Sequence, residues 1–290
     1  MNLSRTIALH LGELDQPVIS SYELDMFIFN TLLELVPLSQ SMVKNQINGE
    51  LKEITSLGII IPHKDFPGGK IFKIIGKKGF DIGDIACSVD PFAYISHLSA
   101  MAFHGITDRI PNTFYISTPP PKKWAEFALI KMKKDCRGSL KEYINKGFSR
   151  LVRINFDKLN KNPIVRYSSI HWGAFKTIRD RKKRVSTIGR TFLDMVREPD
   201  YCGGMRHVVE VFKEFGSPYK KLIIDEVDRH GNQIEKSRVG YLLEEVCDIK
   251  DNILDKWANF TQRGGSRKLD PSGEFSSTYS ERWSLSLNLE

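Results

Sequence analysis

With 290 residues, 41% hydrophobic and 27% charged, the chain is long enough for two ordinary domains, and its composition excludes a disordered tail or a fibre. No run approaches the ~18 uncharged apolar residues of a membrane span, and the N-terminus lacks the basic start and apolar core of a secretory signal, so a cytoplasmic protein without a membrane partner is expected. Cys87, Cys136, Cys202 and Cys247 are scattered, with no CxxC and no histidine at ligand spacing, which argues against a zinc site, a metal cofactor or a disulfide framework.

The net charge of +8 points to a polyanionic partner, but its distribution is uneven. Residues 1 to 75 hold six Lys/Arg against eight Asp/Glu, whereas Lys122 to Arg184 hold nineteen against five. If the chain binds DNA, the middle stretch must neutralise most of the phosphate.

In chain order, Leu3, Ile7 and Leu11 share the face of a first helix, and Ser20 with Glu23 forms a capping box for a second. From Ser39 the spacing of Met42, Val43, Ile47, Leu51, Ile54 and Leu57 predicts a third helix, leaving Ser41, Lys44, Asn45 and Asn48 outward. Gly58 stops it. Ile59 to Ile61, a turn at Pro67 to Gly69, and Ile71 to Ile75 then read as a two-stranded ribbon. Three helices and a ribbon in about 75 residues suggest a winged helix-turn-helix over residues 1–80, a fold that places its last helix in a DNA major groove. Lys44, Asn45 and Asn48 are side chains suited to base edges and phosphates, while His63, Lys64 and Lys70 would touch phosphate or minor groove from the wing.

Gly76, Gly79 and Gly83 read as a linker into a second, mixed α/β domain over 81–290, so the whole chain is expected to be an α-rich α/β protein. Asp90 and Pro91 would open a helix from Phe92 to His104, followed by a strand from Phe114 to Thr118. The basic segment 122–184 is helix-prone at Trp124–Lys134 and Leu140–Lys146 and strand-like at Leu151–Phe156 and Val165–His171. Arg179, Arg181, Lys182, Lys183 and Arg184 would supply its electrostatic grip. Short helices are predicted around Ile188–Val196, Met205–Phe212, Pro218–Val227, Val239–Val246 and Ile253–Phe260, then an alternating strand from Trp283 to Leu289. Arg263, Arg267 and Lys268, around Gly264-Gly265, suit an anion or an acidic partner surface.

Enzyme chemistry finds little support. Asp200, Glu210 and Lys213 have the wrong spacing for a restriction-type nuclease, and Asp225, Glu226 and Asp228 point in different directions around a helix. His97 and His104 share a helix face without a third ligand between them. A non-enzymatic protein without a cofactor is expected; a metal-dependent nucleic-acid enzyme is the weaker alternative.

Several stretches together resemble the AbiEi-type antitoxins of type IV toxin-antitoxin systems: Tyr94 to Gly105, Val185 to Asp194, Gly203-Gly204, Gly240 to Glu244, and Arg282 to Asn288. The resemblance implies a repressor whose winged helix binds promoter DNA, with room for a dimer there. It also implies a second domain that counteracts a cognate nucleotidyltransferase-like toxin encoded alongside. The rival reading is a winged-helix regulator with a ligand-sensing or dimerisation domain and no toxin partner.

Overall fold

The computed structural model describes residues 3–35, 44–261 and 267–289. It begins with helix α1 (Leu3–Glu13), strand β1 (Val18–Ser20), helices α2 (Ser21–Leu35) and α3 (Lys44–Ser56), and strands β2 (Ile60–Pro62) and β3 (Ile71–Ile74). Then come α4 (Ile82–Val89), β4 (Tyr94–Ile95), α5 (His97–His104), β5 (Phe114–Thr118), α6 (Pro121–Asp135) and α7 (Leu140–Asn145). Short strands follow: β6 (Lys158–Leu159), β7 (Asn162–Ser168), β8 (Phe175–Thr177) and β9 (Arg184–Ser186). The last part holds α8 (Ile188–Arg197), a 3-10 turn (Pro199–Cys202), α9 (Met205–His230), α10 (Gln233–Tyr241), a π-helical turn (Leu242–Val246), α11 (Asn252–Asn259), β10 (Tyr279–Ser280) and β11 (Leu285–Ser286). The chain is of mixed α/β class.

Two compact units interleave along the sequence: 1–94, 118–170 and 177–184 form one, and 95–117, 171–176 and 185–290 the other. The expected boundary near residue 80 is therefore not where the units divide. Nor is the glycine-containing stretch before it a bare linker. Asp81 caps α4 by accepting from Gly83 and Asp84 N–H, and Asp84 reaches back to Asp81 N–H, a complete capping box.

In the first unit, Leu3, Ile7 and Leu11 of α1 pack against Leu24 and Ile28 of α2 and Ile54 of α3. The Ser20 cap forms as expected, with Glu23 accepting from Ser20 N–H at 3.1 Å and Ser20 Oγ accepting from Glu23 N–H at 3.1 Å. Strand β3 lies between β1 and β2, both antiparallel to it, with Ile19 opposite Phe72 and Ile61 opposite Lys73. Sequence reading missed β1: three residues between two helices carry too short a signal. Leu57, expected to close the apolar stripe of α3, is exposed, because the helix ends one residue earlier and its period no longer sets the side chain's direction. Met132, Cys136, Tyr143 and Phe148 join the same core, with Tyr143 edge-on to Phe29 at 5.2 Å. The basic helices α6 and α7 thus belong to the body of the N-terminal helices.

The expected strand Leu151–Phe156 has no ladder; Arg166 takes the Ile154 carbonyl at 2.8 Å and the Asn155 side-chain oxygen at 3.1 Å. Next to it, β6 and β7 form an antiparallel hairpin. Asp90 does not open a helix either. Its carboxylate accepts from Trp124 Nε1 at 2.9 Å, Thr118 Oγ1 at 3.0 Å and Phe92 N–H, so the chain stays extended through Tyr94 and Ile95.

In the second unit the strand segments run in the order β5-β4-β9-β8, and Ile95 pairs in parallel with Val185. The helical part is built on α8 against α9, where a Cβ on Gly189 would lie 2.2 Å from the Leu222 carbonyl oxygen, so only glycine permits the approach. The two short helices expected on either side of Ser217-Pro218 are one helix of 26 residues. Val211, Phe212, Ile223, Ile224 and Val227 are buried on both sides of Pro218, and that burial outweighs the ~3 kcal/mol an interior proline costs. Trp283 is fully buried, and its ring fills the space beside Gly240 that a Cβ would enter at 2.1 Å. The closing strand shrinks to Leu285–Ser286 because Ser284 takes a φ of 51°, outside extended backbone.

Candidate nucleic-acid interface

The ribbon is held from one side and open on the other. Ile60, Ile71 and Ile74 are buried beneath it, while Lys64, Lys70 and Lys73 are exposed. Among the described residues none of these three lysines enters an ion pair, so their charge faces solvent. A cleft of about 430 Å³ opens at the base of the ribbon, lined by Lys64, Lys73, Lys77, Phe80 and Asn160 among others. Asn160 arrives from the β6–β7 turn, where its N–H donates to Asp65 at 2.8 Å; Asn160 and Lys161 both have positive φ there. That contact brings Lys158 and Lys161 of the middle stretch close to the ribbon, and both are exposed.

His63 does not share this exposure. It is buried against Phe66, its Nδ1 accepts from Asp65 N–H at 3.2 Å, and burial holds its pKa below the ordinary value. It shapes the ribbon turn and presents no charge to a phosphate, which removes it from the expected wing contacts. Ser41 lies outside the described residues. Lys44, Asn45 and Asn48 fall on the α3 backbone, and their side chains are likewise outside the described set.

The cluster expected to supply the grip turns mostly inward. Lys183 is buried, pairing with Asp81 and lying 3.3 Å from Asp84, itself 1% exposed. Burial pushes the Asp81 carboxyl up, but the Lys183 ammonium and the backbone donors outweigh it and hold the pKa below the ordinary carboxylate value. Arg181 donates to Asp84 at 2.9 Å with its guanidinium over the Phe80 ring, and Lys182 pairs with Glu23. The Arg184 guanidinium donates to the carbonyls of Cys87 at 2.7 Å and Asp90 at 2.8 Å, which end α4, and to those of Ala93 at 2.8 Å and Lys182 at 3.1 Å. Only Arg179 of the five stays in solvent, its side chain 94% exposed beside Asp180. Further along the basic stretch, Lys123, Lys131, Arg137 and Lys146 pair with Glu126, Asp135, Glu34 and Glu142. Lys122, Lys133, Lys134, Lys141 and Arg150 are exposed and in no ion pair among the described residues. The signal that could have separated the two sets is the acidic pair Asp81 and Asp84, whose pull on distant cations a linear charge count cannot register.

In the second unit, Arg263 lies outside the described residues. Arg267 reaches Gln233 at 3.5 Å, and the Lys268 ammonium donates to the Gly273 carbonyl at 2.7 Å over the Phe275 ring. These two fasten the C-terminal segment. The carboxylates weighed for nuclease chemistry are dispersed: Asp200 accepts from Ser272 Oγ, Asp228 from Trp257 Nε1, and Glu210 faces His207. His97 Nδ1 lies 2.8 Å from Ser96 Oγ, and His104 Nε2 lies 2.7 Å from the Ser186 carbonyl oxygen. Among the described residues no three of His, Cys, Asp or Glu converge as metal ligands, and no helix is long and apolar enough to cross a membrane.

No family model and no curated protein matches the chain. One solved structure similar to it is that of the RV2827C protein from Mycobacterium tuberculosis, at 11% identity, covering 97% of this chain and 89% of that one with a TM-score of 0.49.

Proposed function

We propose that the chain is a winged-helix DNA-binding repressor that grips DNA through the exposed ribbon lysines and the neighbouring β6–β7 turn. The observation that carries this reading is the pairing of Val18–Ser20 with β3, which gives the order helix, strand, helix, helix, strand, strand and a ribbon free on its outer side. In this reading α3 enters the major groove with Ser41, Lys44, Asn45 and Asn48. Lys64, Lys70 and Lys73, with Lys158 and Lys161, neutralise phosphate. The inward engagement of Arg181 to Arg184 moves the grip away from that cluster and onto the exposed lysines.

Through its resemblance to AbiEi-type antitoxins, the chain would also counteract a nucleotidyltransferase-like toxin encoded beside it. Gel-shift titration against its own promoter and against random DNA tests the first part. Asn45→Ala should narrow the gap between the two DNAs, whereas Lys64→Gln with Lys73→Gln should weaken both alike. Equal affinity of the unaltered protein for both DNAs would reject a sequence-reading repressor. Co-expression with the adjacent reading frame, scored by growth, tests the second part.

A further inference from the structure

A second cavity of the first unit, about 210 Å³, lies where the ribbon turn meets the start of α2. Its walls are Val89, Leu151, Val152 and Ile154, and its lining includes the exposed cations Lys70 and Arg150. Besides the Ser149 hydroxyl, the other polar side chains around it are committed elsewhere. The Tyr22 hydroxyl donates to Asp135 at 2.7 Å, leaving only its ring to the cavity. Ser20 is held by Glu23, and Ser21 donates through N–H and Oγ to the Lys70 carbonyl, which fixes the ribbon turn on the helix. Among the described residues no carboxylate lines the space. On adjoining residues, Glu23 is engaged by Ser20 and Lys182, and Asp25 accepts Ser149 N–H at 2.7 Å.

What remains in this lining is mainly an apolar volume and two positive charges that are exposed to solvent. Around 150 Å³ is enough for a benzene-sized body. We propose that this cavity is a binding site for a small amphipathic carboxylate, with an apolar or aromatic body against Val89, Leu151, Val152 and Ile154 and its anionic head between Lys70 and Arg150. The backbone amides at the start of the fifteen-residue α2 add a favourable potential for the head. Because Lys70 is shared with the wing surface, an occupied cavity ties down a cation that the repressor reading assigns to phosphate. That consequence, unlike the site itself, rests on the proposed function.

The test is titration of the full chain with benzoate, and with benzamide as its neutral analogue, followed by protein NMR and thermal unfolding. Benzoate should bind saturably and at least about tenfold more tightly than benzamide, the scale of one charge-assisted hydrogen bond. Arg150→Gln should weaken benzoate by about the same factor while leaving the unfolding temperature unchanged. Val152→Trp, which occupies space but keeps both cations, should abolish binding. Equal affinities for benzoate and benzamide, or unchanged benzoate binding in either variant, would overturn the site. Competition then separates the two readings: weaker promoter binding in benzoate supports the shared role of Lys70, whereas saturable benzoate binding with DNA affinity unaltered keeps the cavity and counts against Lys70 as a phosphate contact.

Discussion

The ribbon between Ile60 and Ile74 and the segment from Arg181 to Arg184 are both basic in sequence, yet they use their charge in opposite ways. On the ribbon, Ile60, Ile71 and Ile74 turn inward and the lysines face solvent, with no acid among the described residues close enough to claim them. In the other segment Asp81, Asp84, Glu23 and backbone carbonyls at the end of α4 each engage a positive group, so the cations hold the fold instead of offering themselves to a partner. A dense run of positive charge therefore predicts an interface only where the tertiary fold supplies no acceptors. Loose spacing on an open strand is the better sign.

The largest expected effect belongs to Lys183. Removing its ammonium by Lys183→Ala leaves the buried Asp84 with Arg181 as its one remaining cation among the described residues and Asp81 with none, and should cost about 1.5–3 kcal/mol, read as a lower urea midpoint. A loss below ~0.5 kcal/mol would mean that the inward cations are as dispensable as surface ones.

An uncharged control sits in the second unit. Gly240→Ala drives a methyl into the Trp283 ring and should cost about 1–3 kcal/mol, because the buried indole cannot withdraw while its Nε1 donates to Glu244 at 2.9 Å. If the variant unfolded like the unaltered protein, the tight fit would be disproved.

Acid should act on the buried histidines. Burial lowers the pKa of His97 below its ordinary ~6.5. A depressed folded value means that the neutral form contributes its full stability above the unfolded pKa and loses it as pH falls through the folded one. The unfolding temperature should drop on going from pH 7 to pH 5, and His97→Gln should flatten that slope; an unchanged slope would exclude His97 as a cause.

The smallest effect on stability belongs to the outward set. Replacing Lys64, Lys70 and Lys73 together with glutamine should move stability by no more than about 0.5 kcal/mol. A larger loss would show that these lysines, too, are structural.

Much of the local order was legible in the sequence. The Ser20 cap, the buried face of α1, the ribbon with its turn, and α8 all follow from periodicity and capping chemistry. What escaped depends on contacts between distant residues. The β1 strand exists because β3 pairs with it, α9 runs through Pro218 because both of its halves are buried, and α6 and α7 join the N-terminal core through Tyr143 and Phe148. Three residues of the stretches Val185–Asp194 and Gly240–Glu244 have packing or capping roles: Gly189 lets α8 approach α9, Gly240 accommodates Trp283, and Thr187 caps α8 by accepting from Arg190 N–H. For the candidate interface, the sequence marked Lys64 and Lys70 as cations of the ribbon, but the inward turn of His63, Lys183 and Arg184 required the fold.

The proposed function requires that the outward lysines, not the inward cluster, meet the polyanion. Its most direct test is the salt dependence of promoter binding by the Lys64→Gln, Lys70→Gln, Lys73→Gln variant. The log–log slope should become shallower by about 0.9 for each phosphate contact removed, with folding stability unchanged. A slope identical to that of the unaltered protein would contradict the claim.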